Sequence, residues 1–139
     1  MHATMNEKAV IVHCLEDAEA AVSVAEALGC GLILASAPGA AGYAGVLWFR
    51  ELVSLAKETA PQVPLRSLLD CGDKPGLVLA ALEHGLPLLR FTGPRKTAAR
   101  LAAICEAQGV ELVTGPLPAL DLGLEDDPET ACRAWFSAA

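Results

Sequence analysis

Short apolar runs alternate five times with longer segments that have helical periodicity, and this rhythm is the strongest constraint on the fold. The run Lys8–Cys14 is rich in β-branched residues and apolar on both faces, which is typical of a strand covered on both sides. Glu16–Leu28 follows it with apolar residues at helical spacing. Because parallel strands need a crossover between them, the alternation predicts an α/β fold with a parallel sheet.

The rest of the chain repeats this pattern. Further strands are predicted at Gly31–Ser36, Pro64–Asp70, Leu86–Phe91 and Val110–Val113, and further helices at Ala44–Thr59, Lys74–His84 and Pro94–Gln108. A last helix is expected to begin at Asp127, an acidic capping residue that precedes a proline.

Two architectures fit this element order. The first choice is a three-layer sandwich, in which a parallel sheet of four or five strands carries helices on both faces. The alternative is an open half of a (β/α) barrel, completed by pairing with another copy. In either case we expect a single α/β domain over residues 1–139, with residues 117–139 forming a C-terminal loop and helix that packs on it.

Composition excludes several classes of protein. The 139 residues are 53% hydrophobic and 19% charged, which excludes an intrinsically disordered chain. A net charge of −7 disfavours nucleic acid as a partner. The uncharged stretch between Glu26 and Arg50 is interrupted by Pro38 and several glycines, so we predict no membrane span. The absence of a signal-peptide pattern predicts a cytoplasmic location.

Five cysteines occur without a C-x-x-C pair and without cysteine and histidine at zinc spacing. We therefore predict reduced, mostly buried thiols, no metal site and no cofactor.

The most polar predicted strand end is the segment from Asp70 to Asp73, and ligands of open α/β sheets bind at such carboxyl ends. Asp70 or Asp73 could act as a general base, and Cys14 or Cys71 as a nucleophile beside His13. A strand order of 2-1-3-4-5 would make the ends of the first and third strands neighbours, so that His13 and Asp70 share one rim. The alternative is structural: Asp73 would cap the helix that follows.

Two further segments could hold an anion. Gly39 and Gly42 lie in a glycine-rich loop where backbone N–H groups can bind a phosphate, although the spacing matches neither the dinucleotide fingerprint nor the Walker loop. A flexible or oligomer-contacting loop is the alternative. The second segment contains Thr92, Gly93, Arg95 and Lys96. Its two cations oppose the helix dipole, a local conflict at which an anion could bind; the alternative is two solvated side chains.

The helix Ala44–Thr59 has an apolar surface wider than one sheet contact requires, and it includes Trp48. Such a surface predicts a homodimer formed through this helix. The alternative is that the C-terminal segment with Trp135 and Phe136 covers it.

The sequence thus predicts a cytoplasmic α/β domain that binds or acts on a small anionic metabolite at the carboxyl ends of its strands. The alternative is a non-catalytic homo-oligomeric or regulatory protein. The sequence does not decide whether the protein is an enzyme.

Overall fold

The computed structural model describes residues 7–138. Its strands are β1 (Lys8–Val12), β2 (Leu32–Ser36), β3 (Leu65–Asp70), β4 (Leu88–Arg90), β5 (Glu111–Val113) and β6 (Ala119–Asp121). Its helices are α1 (Leu15–Leu28), α2 (Ala40–Tyr43), α3 (Val46–Thr59), α4 (Pro75–Glu83), α5 (Arg95–Ala107) and α6 (Pro128–Ser137), and a 3-10 turn covers Leu122–Leu124. The predicted α/β class and parallel sheet are confirmed.

The six strands form one parallel sheet in the order β5-β4-β3-β2-β1-β6. From β1 to β5 each strand lies beside the next strand along the chain, so the winding never reverses. This order matches the half-barrel alternative. The order 2-1-3-4-5 is wrong, because β2 lies between β1 and β3 and separates the ends of these two strands.

Strand β6 is one more than the sequence predicted, and it lies in the segment expected to be a loop. It has three half-buried residues, follows Pro116 and Pro118, and among residues 7–138 pairs with β1. A three-residue segment that follows two prolines is too short to show the hydrophobic periodicity of a strand. Its pairing with β1 in the tertiary structure makes it a strand.

The two faces of the sheet pack differently. One face, here called the outer face, packs against the helices through strand residues such as Val10, Leu34 and Leu69. The alternating strand residues form a separate buried cluster on the other face, here called the inner face: Ala9, Ile11, Ile33, Ala35, Leu68, Leu88, Val113 and Ala119. Within the described residues, no helical side chain joins this inner cluster.

The sheet curves around its inner face. Arg66 on β3 reaches Glu7, which precedes β1, at 3.7 Å, and Glu111 on β5 at 2.9 Å. One cavity on this face is lined by residues of five strands, namely Ile11 of β1, Ala35 of β2, Leu68 of β3, Arg90 of β4 and Ala119 of β6, whereas five strands of a flat sheet would spread over roughly 19 Å. Leu117, in the connection from β5 to β6, also packs against the inner cluster.

Helix α6 packs beside α1 and is anchored to β1. The Trp135 indole N–H donates to the carbonyl of Ala9 at 3.0 Å, and the Lys8 ammonium donates to the carbonyl of Trp135 at 2.7 Å. Asp127 caps the helix as predicted, since its carboxylate accepts hydrogen bonds from the backbone N–H and hydroxyl of Thr130.

Helix α3 lies between α1 and α4, and α6 packs elsewhere, so the C-terminal segment does not cover α3. Leu47, Trp48 and Leu55 remain exposed on α3. The predicted homodimer through Ala44–Thr59 stays a prediction. None of the helices in residues 7–138 combines the length and the apolar character that crossing a membrane requires.

Candidate functional site

Asp70 ends β3 and connects three loops at the carboxyl edge of the sheet. Its side chain is 4% exposed. Its Oδ1 accepts hydrogen bonds from the backbone N–H groups of Gly39 at 2.9 Å and Gly72 at 2.8 Å. Its Oδ2 accepts a hydrogen bond from the Arg90 guanidinium at 3.2 Å. Asp70 thereby ties the loops after β2 and β3 to the end of β4.

Arg90 is the cation at the centre of this edge. Besides its bond to Asp70, its guanidinium donates from Nε and one terminal nitrogen to the carbonyl of Gly115, at 3.3 and 3.2 Å. A guanidinium has five N–H donors, so these three bonds leave two donors for a ligand. The side chain is 22% exposed, which lets a small anion reach it.

A cavity of about 130 Å³ lies at the carboxyl end of the inner face. Its polar lining consists of Ser36, Asp70 and Arg90. Its apolar lining comes from inner-face strand residues and from Pro38 and Leu117. The Ser36 hydroxyl accepts a hydrogen bond from the Asp70 backbone N–H at 2.9 Å, so the polar groups are mutually oriented.

Gly72 and Gly39 lie where the two loops meet, and both have positive φ values that favour glycine. Gly72 has a φ of +59°, and a Cβ added there would lie 3.5 Å from the Cα of Gly39. Gly39 has a φ of +69° and donates its N–H to Asp70 rather than to solvent. Gly42 lies in the short helix α2, where an added Cβ would touch Leu77 at 3.4 Å. In this structure the glycine-rich loop provides a hydrogen-bond donor, the Gly39 N–H, to the Asp70 carboxylate.

Cys71 is placed away from this edge. Alternation turns its side chain to the outer face, where it is fully buried among helix residues. Burial, with a smaller contribution from the Asp70 charge, raises the pKa of the Cys71 thiol to about 12. The structure therefore does not bring the predicted cysteine nucleophile to the site.

Asp73 is exposed and lies 3.6 Å from the ammonium of Lys74. The predicted helix cap is wrong: the N-cap of α4 is Lys74, and no side chain caps this helix. Asp73 lies one residue too early for that role.

The second predicted anion segment follows β4. Thr92, Arg95 and Lys96 are exposed there, and the two cations occupy the first turn of α5. The Thr92 N–H donates to the carbonyl of Gly72 at 2.8 Å, which fixes this loop against the loop after β3. At Gly93 a Cβ would lie 2.3 Å from the Phe91 ring, so the turn requires glycine.

His13 lies apart from Asp70, since β2 intervenes, and it has a different carboxylate partner. Its Nε2 lies 2.7 Å from Oδ1 of Asp121, at the end of β6. Asp121 belongs to the strand that the sequence missed, so no local pattern pointed to this pair.

Arg90 was also missed from the sequence, although a signal existed. It is a charged residue at the end of the apolar run Leu86–Phe91, a place where charge is uncommon without a partner. Within residues 7–138, the structure has no group of three or more His, Cys, Asp or Glu side chains arranged to hold a metal ion.

Sequence comparison finds partial similarity to proteins named fructose-bisphosphate aldolase. The chain is 29% identical over 85 residues to that of Xanthobacter flavus, 32% over 82 residues to the plasmid form of Cupriavidus necator, and 28% over 95 residues to that of Nostoc sp.. These matches cover 61%, 59% and 68% of this chain but 24%, 24% and 26% of the relatives. The chain thus spans about a quarter of the length of the curated relatives that it matches. No protein-family model matches it.

Structural comparison finds a similar fold in a Coccidioides immitis protein described as a fructose-1,6-biphosphate aldolase. The TM-score is 0.62 at 24% sequence identity, over 76% of this chain and 39% of that chain. That protein has a TIM-barrel-type fold, which agrees with the half-barrel architecture. At this identity the likeness shows the fold alone.

Proposed function

We propose that the protein binds a small phosphorylated metabolite, with a phosphorylated sugar as the favoured class, at the carboxyl ends of its strands. The cavity lined by Ser36, Asp70 and Arg90 carries the proposal. Arg90 supplies two N–H donors to an anionic group, as guanidinium groups do for phosphate. Asp70 holds the surrounding loops in place.

Three observations support this proposal. Barrel-type folds bind ligands at the carboxyl ends of their strands, where loops meet over an apolar floor. The partial similarity to proteins named fructose-bisphosphate aldolase supports a sugar phosphate over other anions. Arg95 and Lys96, at the start of α5 after β4, add positive charge to the same edge.

Binding is tested by thermal shift and calorimetric titration with D-fructose 1,6-bisphosphate, inorganic phosphate and unphosphorylated D-fructose. The bisphosphate at a hundred times its dissociation constant should stabilise the protein by about 2.7 kcal/mol. D-fructose should have no effect, because it lacks the anion that Arg90 binds.

Arg90→Met should weaken bisphosphate binding about ten- to a hundredfold, which is the loss of one or two charge-assisted hydrogen bonds. Arg100→Met, on the exposed surface of α5, removes the same charge and should leave binding unchanged. Circular dichroism establishes that both variants fold. Unchanged affinity in folded Arg90→Met contradicts the proposal, and so does a ligand found at the amino-end depression lined by Lys8 and Cys30.

A non-catalytic homo-oligomer is the second candidate, and the exposed apolar surface of α3 favours it. Leu47 is 52% exposed, Trp48 37% and Leu55 38%. Sedimentation velocity should then show twice the chain mass of 14.4 kDa at micromolar concentration. Leu55→Glu should restore a monomer, whereas Leu124→Glu, at an exposed leucine far from α3 in sequence, should not. A monomer at all concentrations contradicts this function.

A further inference from the structure

His13 and Asp121 form a second polar pair at the carboxyl edge, just after β1 and at the end of β6 rather than at the ends of β3 and β4. The His13 ring is 40% exposed, and its Nε2 lies 2.7 Å from the Asp121 carboxylate. The Asp70–Arg90 network does not use this pair.

The pair determines which ring nitrogen carries the proton. An ionised carboxylate only accepts hydrogen bonds, so the bonded Nε2 must be the protonated nitrogen of the neutral ring. Nδ1 then keeps its lone pair and can accept a hydrogen bond from a ligand. A carboxylate also fixes the histidine tautomer in catalytic triads, where the two ring nitrogens have the opposite roles: Nδ1–H donates to the carboxylate and Nε2 is the base.

The surroundings hold the ring in place from three elements. Asp121 Oδ1 also accepts the N–H of Gly123 at 2.9 Å, which orients the carboxylate. The His13 backbone N–H donates to the Asp17 carboxylate of α1 at 3.0 Å. A Cβ at position 123 would lie 2.6 Å from Nε2 of His13, so only glycine leaves room for the ring in this position.

His13 follows the inner-face residue Ile11 by two positions, and Asp121 follows Ala119 in the same way. Ile11 and Ala119 line the cavity at Arg90. The pair therefore stands two residues beyond this lining, at the carboxyl edge, here called the mouth of the cavity.

We propose that His13 is a catalytic residue of this mouth, and that its Nδ1 accepts the proton of a hydroxyl on a sugar whose phosphate is bound at Arg90. The proton moves from oxygen to Nδ1 and the bonding pair stays on oxygen. The imidazolium formed is stabilised by Asp121, the positioning residue, and returns the proton at the end of the cycle. This inference rests on the proposed function.

The first test uses the ligand-free protein with ¹⁵N-labelled histidine, with the His13 signals assigned by loss in His13→Gln. NMR should show the Nε2-protonated tautomer. Asp121→Ala should convert it to a mixture, whereas Asp17→Ala, which removes only the backbone contact, should preserve it. A proton on Nδ1 in the wild-type protein overturns the inference and leaves the proposed function standing.

The second test adds D-fructose 1,6-bisphosphate. The Nδ1 resonance of His13 should shift, because a hydroxyl now donates to its lone pair, and the resonances of His84 should not. Inorganic phosphate, which binds Arg90 but carries no sugar hydroxyl, should leave Nδ1 unchanged. Arg90-dependent binding without a shift at Nδ1 refutes the inference alone. Absence of any Arg90-dependent binding refutes the proposed function and the inference with it.

Discussion

Asp70 and Asp73 have opposite environments although they lie three residues apart. Asp70 ends a buried strand, so its charge must be paired, and two backbone N–H groups and Arg90 supply the partners. Asp73 lies in solvent beside Lys74. From the sequence, the segment from Asp70 to Asp73 was identifiable as the polar strand end, but both carboxylates had the same candidate role, that of a general base.

Asp70→Asn should destabilise the protein by about 2–3 kcal/mol, because the amide leaves Arg90 without its anionic partner. Urea denaturation at pH 7 measures the change. Asp73→Asn is the matched control and should alter the free energy of unfolding by less than about 0.5 kcal/mol. Equal effects of the two substitutions would show that Asp70 is not the residue that holds the loops.

At the scale of the element, local sequence signals account well for the helix boundaries. Helix α1 ends at Gly29 with a φ of +69°, and α6 begins at the predicted cap Asp127 with Pro128 in its first turn. Both are interactions within a few residues, which sequence patterns capture. Strand β6 has no such signal, because the strand that it pairs with, β1, is more than a hundred residues away.

Asp127→Ala should lower the Tm by a few degrees at pH 7, whereas Asp127→Asn should nearly match the wild type because asparagine also caps. The Thr130 hydroxyl and N–H lower the pKa of Asp127 below its ordinary value of 3.8. The stabilisation by this cap is therefore present above that pH and is lost as the pH falls below it. Thermal melts at pH 7 and pH 3 should show that the advantage of the wild type over Asp127→Ala becomes smaller at pH 3. A difference that persists undiminished at pH 3 would contradict the charged cap.

At the scale of the whole molecule, the core contains titratable thiols. Burial raises the pKa of Cys71 to about 12 and that of Cys132 to about 11, from an ordinary value of 9.0. Above pH 9 the unfolded chain loses these protons while the folded protein keeps them. Stability is thus complete below pH 9 and declines as the pH rises, by about 1.4 kcal/mol per pH unit for each thiol.

Urea denaturation from pH 8 to pH 11 tests this. Cys71→Ala should lower stability at pH 8 by leaving a cavity, and its stability should then decline less steeply with pH than that of the wild type. Cys14→Ala removes an exposed thiol and should keep nearly the wild-type slope. Parallel curves for Cys71→Ala and the wild type would contradict the burial of this thiol.

The sequence by itself determined the α/β class, most element positions, the cap at Asp127 and the location of a polar strand end at Asp70, because each depends on residues close together in the chain. Only the tertiary structure decided the strand order, since a right-handed crossover permits the next strand to continue the winding or to reverse it. That order put β2 between His13 and Asp70, gave Asp70 its partner Arg90 on β4, and gave His13 its partner Asp121 on β6. These partners lie 20 and 108 residues away along the chain, beyond the reach of any local pattern.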